Sequence, residues 1–242
     1  MHVVSVNVGL PSTVRWRGRD VSTAIFKQPV EGRVPLRRLN LAGDRQADLS
    51  VHGGADKAVY VYPIEHYAYW RKELGAEKLP LGAFGENLTV EGLPLEDELA
   101  VGDRLRIGSV ELVVTQPRVP CYKLGLRFGR SDIVERFLVT GRTGYYLGVE
   151  VEGDVAAGDR VEVLARDDQR VPVGEVIRVY ARDRGDLETI ERLVALDALP
   201  EAWRSYFAKR LESRGITPAA RARSPRRGRA ARSAHGSRPE AS

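Results

Sequence analysis

A mainly β fold followed by a small all-α unit is what this sequence predicts. Three observations carry the prediction. Short segments rich in β-branched and aromatic residues, bounded by Gly, Pro and Asp, recur through the first two thirds of the chain. Glycines and polar turns separate them, as in a barrel or a sandwich. After Arg166 the apolar spacing changes from strand-like to helical.

Taken in order, strands are expected at residues 3–8, 23–27, 58–62, 87–90, 103–107, 110–115, 145–151 and 160–164. Two helices interrupt them. Residues 63–74 start with Pro63 and are followed by Gly75, which are helix start and stop signals. Residues 131–138 can start with Ser131 as the capping residue. Residues 1–166 thus form the β-rich domain. The segment Asp167-Asp168-Gln169-Arg170 reads as a linker. Residues 174–212 then read as three helices: 174–180, a second capped by Asp186 with Leu187, Ile190, Leu193 and Val194 on one face, and a third opened by Pro200 with Trp203, Phe207 and Leu211 four apart. No chemistry of its own is evident in this unit.

The net charge of +5 over 242 residues belongs to the C-terminus. Residues 215–242 hold seven arginines and one acid, which leaves 31 basic and 32 acidic residues in the rest. That tail, rich in Ala, Arg, Ser, Gly and Pro, is expected to be disordered. It offers the one route to nucleic acid or an anionic surface, and the simpler reading is a solvated extension. The chain has one cysteine, Cys121, so an internal disulfide and a cysteine-ligated iron–sulfur cluster are excluded. No run of 18 apolar residues and no signal-peptide core is present, and the expected location is cytoplasmic. There is no G-x-G-x-x-G, no Gly-Lys-Ser/Thr, no G-x-S-x-G and no H-x-x-x-H.

Three loops with functional residue types remain. Residues 43–57 contain GDRQAD and then VHGGADK, in which Gly53 and Gly54 can turn backbone N–H groups toward an anion and Arg45 and Lys57 add positive charge. The alternative is a tight turn with surface charges. Residues 82–88, GAFGENL, put Gly85 and Asn87 together; a β-turn explains them equally well. Residues 116–124, QPRVPCYKL, place Cys121 after two prolines and between Arg118 and Lys123. If a helix starts there, the thiol sits at its N-terminus in a basic setting that favours the thiolate, a soft ligand for transition metals. An inert buried cysteine is the competing reading. Tyr60, Tyr62, Tyr67, Tyr69 and Trp70 read as core and helix-packing residues.

The strings GDRQAD, VHGGADKAVYVYP, GAFGENL and QPRVPCYKL, in that order, resemble a MOSC domain, named for the C-terminal domain of molybdenum-cofactor sulfurases. The likeness covers roughly residues 1–212 and is strongest to the YiiM-like branch, in which the MOSC barrel is followed by a short helical domain. It implies a β-barrel holding the molybdenum cofactor (molybdopterin), with Cys121 as the catalytic protein ligand to molybdenum. It also implies an oxidoreductase that reduces N-hydroxylated compounds (hydroxylamino-purines, hydroxylamines, amidoximes) to amines, a detoxifying reaction. The cofactor is anionic. Arg45, Lys57, Arg118, Lys123 and Arg142 are therefore candidate counter-charges, and His52, Asn87 and the backbone of Gly53 and Gly54 candidate hydrogen-bond partners. Arg142 lies in a GRTGY string, residues 141–145, that also fits the family pattern. With no flavin motif or cluster ligands in the chain, the expected electron donor is a separate flavoprotein reductase. The competing function is a cofactor or sulfur carrier with a persulfide on Cys121.

Overall fold

A computed structural model describes residues 1–47 and 53–216. His52 and all but the first two residues of the arginine-rich tail lie outside the described residues.

Among the described residues, twelve strands and six α-helices follow one another. The strands are β1 (His2–Val8), β2 (Ser12–Trp16), β3 (Arg19–Thr23), β4 (Gln28–Val30), β5 (Val34–Leu36), β6 (Val59–Pro63), β7 (Leu88–Glu91), β8 (Arg104–Ile107), β9 (Val110–Pro117), β10 (Tyr145–Val151), β11 (Gly153–Val155) and β12 (Val161–Ala165). The helices are α1 (Glu65–Leu74), α2 (Tyr122–Phe128), α3 (Ile133–Thr140), α4 (Val173–Ala181), α5 (Leu187–Ala195) and α6 (Glu201–Glu212). Eight strands form one sheet in the order β12-β8-β9-β10-β6-β7-β1-β4, antiparallel except for the β6–β7 pair.

The sheet is not a closed barrel, which corrects the expected barrel. The C-terminal half of β1 pairs with β4, from Val6 opposite Val30 to Val8 opposite Gln28. Only the first residues of β1 are left to meet the chain entering β12. There a single bridge between His2 and Arg160, with hydrogen bonds from Val3 N to Asp159 O (2.9 Å) and Val161 N to Met1 O (3.1 Å), stands in place of a ladder.

Side-chain alternation along β6 explains how helices cover both faces of the sheet. Val59 and Val61 enter the main core with Val3, Leu105, Leu112 and Leu147. Tyr60 and Tyr62 point the other way, into an aromatic second core with Tyr67, Trp70, Phe84 and Phe137. This confirms the core reading of those tyrosines and Trp70, with Tyr69 partly buried beside them. The phenol of Tyr62 accepts a 2.7 Å bond from Trp70 Nε1, so the large polar rings are buried with partners.

The three C-terminal helices form as their apolar spacing requires. Asp186 caps α5, accepting from Thr189 N at 3.1 Å, and its bond to Arg178 holds its carboxyl down at about 2. Trp203, Phe207 and Leu211 are the buried face of α6 and join the main core. The unit is fastened to the sheet by Trp203 Nε1 donating to Gln116 Oε1 on β9 (2.5 Å). In α3 the observed capping position is Asp132, one residue after the expected Ser131, and it makes no side-chain cap bond. Residues 24–27, expected to continue a strand, are a loop opened by Ile25 N donating to Thr23 Oγ1 (3.2 Å).

Candidate functional site

The loops singled out by sequence converge on one cleft. Its walls include Thr23, Ile25, Lys27, Asp44, Arg45, Lys57, Tyr60, Gly85, Asn87, Arg118, Cys121, Lys123 and Tyr146. The space, mouth included, is about 600 Å³. Among the described residues, five of the wall side chains are cationic, against one carboxylate, Asp44.

Cys121 stands just ahead of α2, extended at φ −111° and ψ 176°, and is half-buried. Pro117 ends β9 and the chain turns through Val119 and Pro120 to reach it, so the thiol is held between a strand end and a helix start. Arg118 lies beneath it. The guanidinium is buried and packs over the Tyr60 ring at 4.9 Å and the Phe137 ring at 5.4 Å. Its Nη1 is buried and has no hydrogen-bond partner among the described residues. A buried guanidinium N–H without an acceptor costs about 1–3 kcal/mol or more, a cost that an anion in the cleft would offset.

Asn87 lines the cleft, but its polar atoms are engaged within the protein. Its Oδ1 accepts from Tyr60 N (3.1 Å), and its Nδ2 donates to Asp44 Oδ2 (2.9 Å) and Asn7 O (3.4 Å). It ties loops together. Asp44 does the same, accepting from Gly9 N at 2.9 Å and pairing with the buried Lys27. Burial pushes the Lys27 ammonium below its ordinary value, and Asp44 recovers part of the loss. Lys27 and Asp44 escaped the sequence-based site assignment; a lone lysine in a run read as strand carries no sign that it will be buried.

Gly85 has φ +80°, and a Cβ there would meet Ile25 Cγ1 at 2.9 Å. The backbone of this glycine packs closely against the 24–27 loop of the protein itself. Glu86, fully buried, fastens the turn by accepting from Gly82 N (3.1 Å) and Phe84 N (3.0 Å), and burial raises its carboxyl above the usual range.

Gly53 and Gly54 lie on a second cleft. Gly54, at φ +103°, precedes a short 3-10 turn, Ala55–Lys57, that is pinned to β9 by Thr115 Oγ1 and Gln116 Nε2 donating to Asp56 O (2.7 and 3.1 Å). Burial lowers the Lys57 ammonium, opposed by Asp56. Lys57, Cys121 and Tyr146 line both clefts.

Arg142 is not brought to either cleft. Its Nη1 donates to His66 Nδ1 (3.2 Å), whose Nε2 faces Glu96 Oε2 at 2.9 Å, and its guanidinium lies 4.8 Å from the Tyr69 ring. The GRTGY string acts through its backbone instead. Tyr60 Oη donates to Thr143 O (2.8 Å), Glu96 accepts from Gly144 N (2.7 Å), and Gly144 O accepts from Arg118 N (3.2 Å). Gly144, at φ +63°, has Val61 O 2.4 Å from where a Cβ would be, so no side chain fits.

Residues 48–162 match the MOSC domain family and residues 171–214 the YiiM-like 3-alpha helix domain. A relative from Bacillus subtilis, named uncharacterized protein YflK, is 43% identical over 86% of this chain and 93% of its own. Protein YiiM of Escherichia coli is 38% identical over 78% of this chain and 84% of its own. The chain belongs to the YiiM-like MOSC family. The crystal structure of YiiM from Geobacillus stearothermophilus superposes with a TM-score of 0.74 at 32% identity, covering 87% of this chain and 98% of that one. A Gibberella moniliformis protein named reductase is 35% identical over 67% of this chain but only 29% of its own length. Among the described residues, no helix is long and apolar enough to cross a membrane, and no group of three or more His, Cys, Asp or Glu side chains could hold a metal ion.

Proposed function

We propose that this protein is a molybdenum-cofactor-dependent oxidoreductase that reduces N-hydroxylated compounds to amines with electrons from a separate reductase. The observation that carries the reading is the cationic cleft ending at Cys121, with the buried, unpartnered Arg118 Nη1 in its wall. An anionic pterin with a phosphate and a dithiolene fits such a wall, and a thiolate is a soft ligand for molybdenum. The MOSC match and the reductase-named relative support the same reading.

In this proposal Cys121 Sγ would hold the metal, and Arg118, Lys123 and Arg45 would hold the anionic pterin. When bound, the cofactor supplies two-electron chemistry that removes oxygen from nitrogen. The overall reaction takes a hydroxylamine, two electrons and two protons to an amine and water. The protein must therefore deliver protons beside Cys121. Lys57 Nζ is the group placed to do so, because it borders both clefts and burial weakens its hold on its proton. Asn87, Asp44 and Lys27 keep the loops in register around the cleft.

The test is Cys121→Ala in protein made by cells that supply the cofactor, assayed with reduced viologen as donor. Reduction of an N-hydroxylated substrate should disappear while the circular dichroism spectrum is kept. Full activity in the variant would overturn the ligand role, and labile sulfur on Cys121 without metal would favour the carrier function.

A further inference from the structure

Strands β2 and β3 form a two-stranded hairpin that joins neither core. Among the described residues, positions 12–22 make no hydrogen bond or ion pair outside the hairpin. Both legs are nevertheless rooted in the wall of the cationic cleft. The incoming leg is held at Gly9, whose N donates to Asp44 Oδ1 (2.9 Å), and the outgoing leg ends at Thr23, Ala24 and Ile25 in that wall. On one face Val14 lies opposite Val21 and Trp16 opposite Arg19, with the valines and the tryptophan half-buried. Arg17 lies 5.5 Å from the Trp16 ring. Arg15 is paired with Asp20 at 3.0 Å, whereas Arg17 and Arg19 are exposed and have no carboxylate partner among the described residues. The turn takes Arg17 to φ 49°, where glycine, asparagine or aspartate is favoured, so a cation is kept at the tip against the preference of the backbone.

We propose that the β2–β3 hairpin is a docking surface for the acidic face of an electron-donating flavoprotein, anchored by Arg17, Trp16 and Arg19. Charge selects the partner. Arg17 and Arg19 at the tip and Arg45 and Lys123 in the cleft wall present one sign to an approaching molecule, which an acidic surface complements. A second copy of the hairpin, or the arginine-rich residues 215–242, carries the same sign and is repelled. Tryptophan and arginine are the residues that anchor protein interfaces, and Leu10, 62% exposed where the hairpin begins, adds apolar area. Redox encounters are small interfaces, so a patch of this size suffices. Position selects the role. Five residues per strand put the tip about 17 Å from its root, so a protein gripping the hairpin also covers the mouth of the cleft that ends at Cys121. An electron donor needs that placement and a nucleic acid does not. The donor's role rests on the reductase reading; the hairpin's grip on an acidic protein does not.

The probe is flavodoxin, a small acidic flavoprotein, titrated calorimetrically into the full chain purified from cells that supply the cofactor. The double variant Arg17→Glu with Arg19→Glu should bind it about tenfold more weakly than wild type at low salt, and the difference should shrink at about 0.5 M salt, where surface charges are screened. Both proteins keep residues 215–242, so the difference between them isolates the hairpin. Both substituted side chains are exposed, and an unchanged melting temperature verifies the fold. Turnover should show the same division: the KM for reduced flavodoxin rises in the variant, while turnover with reduced viologen, which needs no docking, changes less than about twofold. Wild-type protein that fails to bind flavodoxin, or wild type and variant that bind it equally, would overturn the proposal. So would a short DNA duplex that binds more tightly than flavodoxin and is lost in the variant, since the patch would then be reading phosphates. Hairpin-dependent flavodoxin binding without turnover from any donor would leave the docking surface standing and remove the reductase reading. Viologen-driven turnover with flavodoxin binding indifferent to the variant would do the reverse.

Discussion

Lys27→Met tests how the cleft is held together. The pair Lys27–Asp44 is buried, with side-chain exposures of 10% and 2%. Methionine matches the lysine stem, so the change removes charge and leaves little cavity. Breaking one side of a buried pair costs about 3–5 kcal/mol, because the partner is left charged in a poor solvent. Asp44 keeps its bonds from Gly9 N and Asn87 Nδ2, both 2.9 Å, which places the expected loss at the low end, about 3 kcal/mol. Urea denaturation should show this as a lower midpoint at unchanged slope. The double variant Lys27→Met with Asp44→Asn should be less unstable than the sum of the two, since the second change removes the stranded charge. The pH dependence has a definite sign. The folded-state value of Lys27 lies below the ordinary 10.5, so between the two the unfolded chain binds more protons and stability rises with pH. That rise should be missing in Lys27→Met. A variant within about 0.5 kcal/mol of wild type, or strictly additive effects, would refute this account of the pair.

Two further outcomes concern the cations of the cleft. Arg118→Met should leave the cofactor-free chain within about 1 kcal/mol of wild type, because the lost ring contacts are offset by removal of an unsatisfied buried N–H, while pterin retained on purification falls sharply; a large loss of stability with full pterin content would contradict the role given to Nη1. If Lys57 Nζ delivers protons, activity should fall with rising pH along a limb below the 10.5 of an ordinary lysine, and Lys57→Met should lower kcat and abolish that limb; an unchanged profile would exclude Lys57 as the proton source.

What could be read from sequence was whatever local pattern controls. The spacing of Trp203, Phe207 and Leu211 and the cap at Asp186 specify their helices directly, and structure follows within a residue or two. The apolar and aromatic run at residues 58–62 likewise marked a strand, with Tyr60 and Tyr62 read as core residues. The hairpin of β2 and β3 was missed because both strands are largely exposed and mostly polar. Its turn takes positive φ at Arg17 (49°) and Gly18 (79°), and arginine gives no warning of such a turn as asparagine or aspartate would. The cleft was legible as loops, since glycine, cationic and cysteine residues cluster in sequence there. Which of those cations share the space was not legible. Arg142 belongs with His66 and Glu96, residues 76 and 46 positions away, and only the folded chain shows that Gly144, not Arg142, is what links its string to Arg118. Closure of the sheet was equally hidden, because it depends on β4 occupying the side of β1 that β12 would need.

Metal and pterin analysis of the full chain, purified from cells able to make the cofactor, tests the central claim most directly. The account predicts molybdenum and pterin in near-equal amounts, with molybdenum lost in Cys121→Ala while the protein stays folded. Wild-type protein that is folded yet carries neither molybdenum nor pterin, or Cys121→Ala that keeps both, would contradict it.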